Sequence, residues 1–293
     1  MFQEDLDCIL SAKQFQPHVD YKLWADMYYS FRGSPQARSA INWHSKYLSG
    51  IKDHLDKALW PPIPQRGPLD PTGRGYPSGV EYSFQAPQIG ALRRKYPELS
   101  APVILKSALA LLNVWHTGHT HALFSSCEDG RTKWPFMPPF RTEQGGGLTG
   151  SLFNDAQDVA GPTIQFVTNL VEIRPSETVI DFLRRMQSHQ NNLTRYAHAP
   201  WPEIEQAVGL GSGTIRRVFT TMKFNWVPGF GAQAQTEKTK EPFQNFRILA
   251  AVARWRIGLL CRLGLGGVNN DTVVMHLMGD ALSGEQKVHV AKR

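Results

Sequence analysis

Apolar residues recur three, four and seven positions apart in several segments of the chain, the spacing that places them on one face of a helix. This pattern predicts helices over residues 19–31, 34–59 and 102–117, a short helix around Ile89, Leu92 and Tyr96, and a helix after Pro175 whose apolar face extends to Leu193. Ser34 followed by Pro35 is typical of a helix N-terminus, and Thr178 with Asp181 predicts a capping pair. The helix that ends before Gly118 carries almost no charge, so we expect it to be buried.

Alternating apolar positions and β-branched runs predict strands between these helices. The predicted strands cover residues 80–84, 121–125, 163–173, 218–226, 248–260 and 272–278. Proline and glycine crowd residues 61–77, which therefore read as an extended connector and a candidate boundary, and a long loop follows over residues 131–161. Strands that alternate with helices favour an α/β (α+β) fold in which helices cover a mixed sheet.

Composition narrows the class of protein. The chain has 293 residues, of which 41% are apolar, enough for a sizeable core. No apolar run reaches membrane-helix length and the first residues are acidic, so we expect a soluble, cytoplasmic protein. The formal charge of +7 suits an acidic partner, but the basic residues are scattered and do not favour nucleic acid. Cys8, Cys127 and Cys261 lie far apart, which predicts reduced, packed thiols.

Histidine is the natural general base near neutral pH and a common metal ligand, so the ten histidines are the first place to look for chemistry. His116, His119 and His121, with Cys127, form a conceivable zinc set. They run from a helix end into a strand without the spacing of known zinc modules, which favours capping and packing roles. We therefore expect neither a metal nor a directly bound cofactor.

His276 and Asp280 have the HxxxD spacing of some acyltransferases. The preceding apolar residues predict a strand, and Gly279 with Asp280 predicts a turn, so a structural role is the simpler interpretation. The sequence contains no GxSxG motif, P-loop or dinucleotide fingerprint. The residues alone indicate an α/β protein with a basic surface and leave its reaction open.

Several motifs, in the same order along the chain, resemble the condensation domain of fungal nonribosomal peptide synthetases. The stretch HTHALFSSCEDGRTKWPF resembles a family strand that is followed by a Gly-Arg pair, here Gly130 and Arg131. The next motif, DVAGPTIQFVTNLVEIR, supplies Gly161, Asn169 and Arg174. The helix that follows ends, as in the family, in a His-rich, Pro-containing turn that includes His198. The resemblance implies that these six residues line a substrate tunnel or support its walls.

The resemblance also implies the fold of chloramphenicol-acetyltransferase-like proteins, in which two lobes face each other across a tunnel. Residues 1–65 would then be the helical end of the first lobe, and residues 66–293 the second lobe. The family's catalytic motif, HHxxxDG, does not occur in this sequence, and His276 does not match it, because Met275 and Ala281 stand where its first His and its Gly belong. Whether this chain alone is an enzyme stays open.

The function that the resemblance implies is amide-bond formation between thioesters that carrier proteins hold on phosphopantetheine arms. A partial condensation domain is the first hypothesis, with peptidyl or acyl carrier proteins and a separate N-terminal lobe as partners. A second hypothesis is a non-catalytic module that docks an acidic carrier protein through Arg216, Arg217 and Lys223. A third is a stand-alone acyltransferase in which His276 is the base and Asp280 orients its loop.

Overall fold

The computed structural model describes residues 19–60, 79–128, 130, 159–161, 163–220, 222–226, 257–266 and 270–278. In strands 79–85, 257–266 and 270–278 it describes the backbone alone. The predicted connector 61–77, most of the predicted loop 131–161 and the polar stretch 229–245 lie outside the described residues. The proposed division at residue 65 therefore stays a prediction.

Seven α-helices occur in the described part of the chain. They are α1 (Tyr21–Arg32), α2 (Pro35–Tyr47), α3 (Pro87–Lys95), α4 (Ala101–Thr117), α5 (Val179–Tyr196), α6 (Trp201–Ala207) and α7 (Thr214–Thr220). The predicted N-caps are confirmed: Ser34 accepts a hydrogen bond from the Ala37 N–H, and Thr178 accepts one from the Asp181 N–H. These bonds satisfy N–H groups that a helix start otherwise leaves unpaired.

The predicted extent of the second helix is wrong. Helix α2 ends at Tyr47, and Gly50 then adopts a left-handed φ of 79° before a 3-10 turn over Ile51–Asp53. The apolar spacing predicted too long a helix, because Leu48 and Ile51 lie beyond its end and are still buried in one hydrophobic cluster. Glycine tolerates the left-handed conformation, so the chain can turn there without losing its apolar face.

Eight strands are described. They are β1 (Val19–Asp20), β2 (Gly79–Gln85), β3 (His121–Glu128), β4 (Val159–Ala160), β5 (Gln165–Glu172), β6 (Met222–Trp226), β7 (Ile257–Gly266) and β8 (Asn270–Met278). Six of them form one sheet in the order β2-β8-β7-β6-β3-β5, while β1 and β4 pair separately. Within the six-stranded sheet, strand β6 is parallel to both of its neighbours and the other pairs are antiparallel, whereas β1 and β4 pair in parallel. The predicted mixed sheet with covering helices is confirmed.

The strand predicted over 218–226 begins later than the sequence pattern suggests. Residues 218–220 belong to helix α7, and strand β6 starts only at Met222. Ile215 and Val218 are both fully buried, and their spacing of three residues fits one face of a helix. The strand predicted over 248–260 is described from Ile257, and it runs on to Gly266.

Helices cover both faces of the sheet around β3, whose successive side chains point to opposite sides. On one face, Ala122 and Phe124 pack with α4 and α5, and on the other, Leu123 packs with the segment after α2 and with α6 and α7. The second cluster contains Ala40, Leu48, Ile51, Ala58, Leu59, Leu123, Leu170, Ala199, Ile204, Ile215 and Val218. Residues before 61 therefore share a hydrophobic core with residues far later in the chain.

Side chains from neighbouring elements cover the outer edge of strand β5. The Leu170 N–H donates to Tyr47 Oη at 3.3 Å, and Trp201 Nε1 donates to the Phe166 carbonyl at 2.7 Å. Arg185 Nη2 donates to the Glu172 carbonyl at 2.9 Å. An edge strand with unpaired backbone groups invites pairing with another chain, so these three bonds close the sheet on this side. Among the described helices, none has the length and apolar character needed to cross a membrane.

Candidate functional site

A buried polar network joins strand β3 to helices α4 and α5. Lys106 Nζ donates to Ser126 Oγ at 2.9 Å and to Gln190 Oε1 at 2.6 Å, and it lies 4.0 Å from Glu128 Oε1. Glu128 in turn accepts hydrogen bonds from Gln190 Nε2 and Thr194 Oγ1, at 2.9 and 3.0 Å. Ser126 and Glu128 are two residues apart on one strand, which places both on the face that the helices cover.

The charge of Lys106 is sensitive to this environment. The residue is only 2% exposed, and burial lowers the pKa of Lys106 to about 8, although the nearby Glu128 and Cys127 act to raise it. An amine with such a pKa can exchange a proton close to neutral pH. Its contacts with Ser126, Gln190 and Glu128 nevertheless engage it within the protein, so its evident role is to hold the two helices to β3.

The sequence analysis missed this network, although one signal was present. Lys106 is the single Lys, Arg, Asp or Glu in helix α4, which the pattern already predicts to be buried. A lone charge in an apolar, buried helix requires a polar partner, because an unpaired buried charge is strongly destabilising. Asn169, which the resemblance had singled out, belongs to the same network, since its Nδ2 donates to Ser126 Oγ at 3.1 Å.

Gly130, Gly161 and His198 come together next to helix α1. A Cβ atom at Gly130 would lie 1.9 Å from the Thr163 carbonyl oxygen and 3.4 Å from His198 Cε1. A Cβ atom at Gly161 would lie 2.3 Å from the Tyr21 ring. Tyr21 stacks on Trp24, whose ring centroid is 6.4 Å from that of the buried His198. Both glycines are thus explained by close packing, whatever further role they have.

The other residues implied by the resemblance lie elsewhere. Arg174 is exposed, lies two residues beyond the end of β5 and pairs with Glu172 at 2.7 Å. Glu172 is the last residue of β5 and lies opposite His121 in strand β3. Arg131 lies outside the described residues. The structure therefore brings Gly130, Gly161 and His198 into one region, places Asn169 in the network around Lys106, and keeps Arg174 apart from both.

The predicted docking patch needs a correction. Arg216 and Arg217 are exposed on helix α7, but Lys223 lies within strand β6 and is only 4% exposed. Its ammonium lies 4.1 Å from the centroid of the Phe166 ring, and burial lowers the pKa of Lys223. Lys223 is therefore a core residue and contributes no charge to an outer surface, because its strand is covered by helix α7.

The two candidates for acyltransferase chemistry are described only in part. His276 lies in strand β8, where its backbone is in register with Glu81 and Leu260, so the predicted strand is confirmed. Asp280 lies outside the described residues. Cys127 is half-buried, and burial raises the pKa of its thiol to about 11. The thiolate needed by a nucleophilic cysteine is thus disfavoured at this position.

Three histidines form a cluster at the start of β3, and they are not the set that the sequence suggested. His119 and His121 are joined by His54, while His116 stacks on Trp60 at 4.3 Å between ring centroids. Cys127 is about 20 Å away along the strand, because it lies six positions beyond His121 and each extended residue adds about 3.3 Å. His54 Nδ1 and His119 Nε2 are 2.8 Å apart, so one of them donates a hydrogen bond to the other. Burial and the nearby His54 lower the pKa values of His119 and His121.

Solved structures with a similar fold include condensation domains. The X-domain of teicoplanin biosynthesis, in its complex with OxyB, matches with a TM-score of 0.65 at 13% identity, over 93% of this chain and 55% of that chain. The first condensation domain of the calcium-dependent antibiotic synthetase, in complex with a substrate analogue, matches with a TM-score of 0.60 at 10% identity, over 97% of this chain and 57% of that chain.

A third similar structure is the starter condensation domain of rhizomide synthetase in complex with C8-CoA and Leu-SNAC, with a TM-score of 0.58 at 10% identity, over 90% of this chain and 51% of that chain. The chain thus spans about half the length of these structures. No family model and no curated protein matches the sequence. The predicted fold, a lobe like that of condensation domains, is confirmed at the level of structure.

Proposed function

We propose that this chain, which has the fold of nonribosomal peptide synthetase condensation domains, works in nonribosomal peptide biosynthesis as one lobe of a condensation channel. The observation that carries the proposal is the match between its fold and those domains over at least nine-tenths of its length. The ordered motifs that contain Gly130, Arg174 and His198 support it independently.

The proposed reaction forms one amide bond and breaks one thioester. The amine of an acceptor aminoacyl thioester attacks the carbonyl carbon of a donor thioester, the C–N bond forms, the donor thiolate leaves, and the amine's proton passes to a base. Such a reaction depends mainly on holding two tethered reactants in line and on stabilising the developing oxyanion. This lobe would supply channel wall and docking surface.

In this proposal the histidine that handles the proton belongs to an HHxxxDG motif outside these 293 residues, since the sequence contains none. The partners are acyl or peptidyl carrier proteins and a lobe that bears this motif. The phosphopantetheine arms of the carriers bring the thioesters, so the chain itself needs no bound cofactor.

A reconstitution experiment tests the proposal. The chain is mixed with a donor carrier protein and an acceptor carrier protein, each loaded with an aminoacyl group, with and without a lobe that bears HHxxxDG from a fungal condensation domain. We expect dipeptide on the acceptor carrier, detected by intact-protein mass spectrometry, only when both lobes are present. If the complete mixture shows no dipeptide and the chain binds neither carrier protein, the proposal is overturned.

The same assay separates the stand-alone alternative. If the chain alone produces dipeptide and His276→Ala abolishes that activity, His276 is the base, and the proposal that the chain is one lobe of a two-lobe channel is wrong. If the activity requires the second lobe and survives His276→Ala, the proposal that the chain is one lobe of a two-lobe channel stands.

The non-catalytic docking module is the second candidate, and the exposure of Arg216 and Arg217 on helix α7 favours it. Carrier proteins are acidic partners in this hypothesis, so the two guanidinium groups would raise both association rate and affinity. Reversing both charges, Arg216→Glu with Arg217→Glu, should weaken binding of a fluorescently labelled holo-carrier protein. The matched control reverses Arg93 and Arg94, an exposed pair on helix α3. Equal binding by both double variants would exclude α7 as the docking site.

A further inference from the structure

His54, His119 and His121 offer three imidazole nitrogens within 4.8 Å of one another. His54 Nδ1 and His119 Nε2 are 2.8 Å apart, and the His54 and His121 rings stack with centroids 3.8 Å apart. All three residues are partly exposed, so an ion can reach them from solvent. Among the described residues, this is the one group of three metal-ligating side chains so close together.

The fold holds the three histidines from two directions. Gly118, with a left-handed φ of 64°, ends helix α4 and turns the chain into β3, which brings His119 and His121 to the start of that strand. His54 comes from the turn after Ile51–Asp53, and a parallel bridge between Leu59 and Leu123 ties that segment to β3. Leu59 and Leu123 are both buried, so the cluster is anchored in the core.

The neighbours of the cluster are suited to an outer shell of ligands. His121 Nδ1 lies 2.9 Å from Thr120 Oγ1, a contact that leaves Nε2 as its nitrogen for an ion. Glu172 lies opposite His121 in the pairing of β3 with β5 and supplies negative charge beside it. Hydrogen bonds that fix the ring orientation and tautomer of a ligating histidine are typical of metal sites.

We propose that His54, His119 and His121 bind a divalent transition-metal ion of the zinc class, with water as the fourth ligand. Imidazole nitrogens lie about 2.0–2.1 Å from zinc, so two of them on one tetrahedral ion are about 3.3 Å apart. The 2.8 Å contact between His54 and His119 is shorter, so binding replaces the hydrogen of that contact by the metal and widens it by about half an ångström.

The stacked His54 and His121 rings must also turn so that their lone pairs converge on the ion. The turn after α2 and the start of β3 would then be joined by metal bonds as well as by the Leu59–Leu123 bridge. Because the ion binds the folded arrangement alone, its binding should raise the melting temperature of the whole chain.

Cobalt is the probe for this site, because four-coordinate Co²⁺ has intense visible absorption whereas zinc has none. The purified full chain is freed of metal with a chelator and titrated with CoCl₂. We expect one ion per chain, the absorption of a tetrahedral complex, its displacement by ZnCl₂, and a higher melting temperature. A folded wild-type chain that gives no such absorption would overturn the proposal.

Two variants and a control locate the ion. His119→Gln and His121→Gln keep a polar side chain and remove an imidazole, and each should lower Co²⁺ affinity at least by the roughly 10–100-fold that loss of an outer-shell partner costs. His116→Gln changes a nearby half-buried histidine outside the cluster and should bind Co²⁺ as the wild type does. Circular dichroism checks that each variant is folded.

Undiminished Co²⁺ binding by both folded cluster variants would show that the ion sits elsewhere, and the proposal would be wrong. If a variant fails to fold, Thr120→Val serves in its place, because it removes only the outer contact to His121. It should weaken Co²⁺ binding while the chain stays folded, and an unchanged affinity would count against the site. None of these results bears on the condensation activity, so the two proposals fail separately.

Discussion

Lys106 Nζ and Ser126 Oγ lie 2.9 Å apart, which ties the middle of helix α4 to strand β3 inside the core. The contact joins an ammonium group to a hydroxyl that also accepts from Asn169. Buried polar groups of this kind are costly unless each has a partner, so the network restricts how α4, α5 and β3 can pack.

Lys106 should make stability depend on pH in the alkaline range. The unfolded chain holds this proton up to a pH near 10.5 and the folded chain only up to about 8, so the free energy of unfolding should rise as the pH increases from 8 to 10.5. The contribution is about 3 kcal/mol. Urea denaturation at several pH values measures this rise in the free energy of unfolding. In Lys106→Met the rise should be smaller than in the wild type by about 3 kcal/mol. Lys57→Met, at an exposed position, is the control and should show the same rise in the free energy of unfolding as the wild type. Equal rises in the wild type and in Lys106→Met would show that Lys106 does not cause the pH dependence.

His44 should contribute to loss of stability in acid. Burial lowers the pKa of His44 from 6.5 to about 4, although its hydrogen bond to the Tyr196 carbonyl opposes this shift. The unfolded state therefore takes up a proton first, and the free energy of unfolding falls by about 3 kcal/mol as the pH drops through this window. Chemical denaturation of His44→Phe should show a shallower acid decline. Tyr47→Phe, on the same helix, should retain the wild-type decline, and identical slopes for all three proteins would refute the assignment.

Tyr47→Phe should lower stability at neutral pH. The substitution leaves the Leu170 N–H at the edge of β5 without its acceptor and keeps the ring stacked on Trp43. An unsatisfied buried donor costs about 1–3 kcal/mol. Thermal and urea denaturation measure the loss, and Tyr29→Phe, at an exposed tyrosine, should cost almost nothing. A loss no larger than that of the Tyr29 variant would mean that the edge hydrogen bond is dispensable.

Gly130→Ala should destabilise the chain although it adds a single methyl group. The new Cβ would overlap the Thr163 carbonyl oxygen, so the backbone on one side must move, at a cost of about 1–3 kcal/mol. Gly33→Ala is the matched control, because its Cβ would meet nothing closer than the Ser30 carbonyl oxygen at 4.0 Å. Comparable urea midpoints for the two variants would rule out the close approach.

Local pattern predicted many of the elements correctly. The caps at Ser34 and Thr178, the helix that ends before Gly118 and the strand that begins at His121 all follow from residue type and spacing within one turn or one strand. Errors arose where local spacing is compatible with two structures. Ile215 and Val218 are buried on helix α7, yet the segment that follows them reads equally well as an early start of β6.

The candidate sites could be predicted only in part. Gly130, Gly161 and His198 were identified through a resemblance, and the structure brings them together. The network of Lys106, Ser126 and Gln190 and the cluster of His54 with His119 were not predicted, because their members lie 20 to 84 residues apart in the sequence. Lys223, taken for a surface residue, is buried by helix α7.

The amino-acid sequence by itself determined where most helices and strands lie, which of their faces are apolar, and that α4 would be buried, because these properties depend on neighbours a few residues away. Only the tertiary structure decided which polar side chains meet. The strand order β6-β3-β5 and the return of the segment after α2 onto β3 bring Lys106 to Ser126 and His54 to His119. The physical reason is that local spacing sets the direction of a side chain, whereas its distant partner is set by the packing of whole elements.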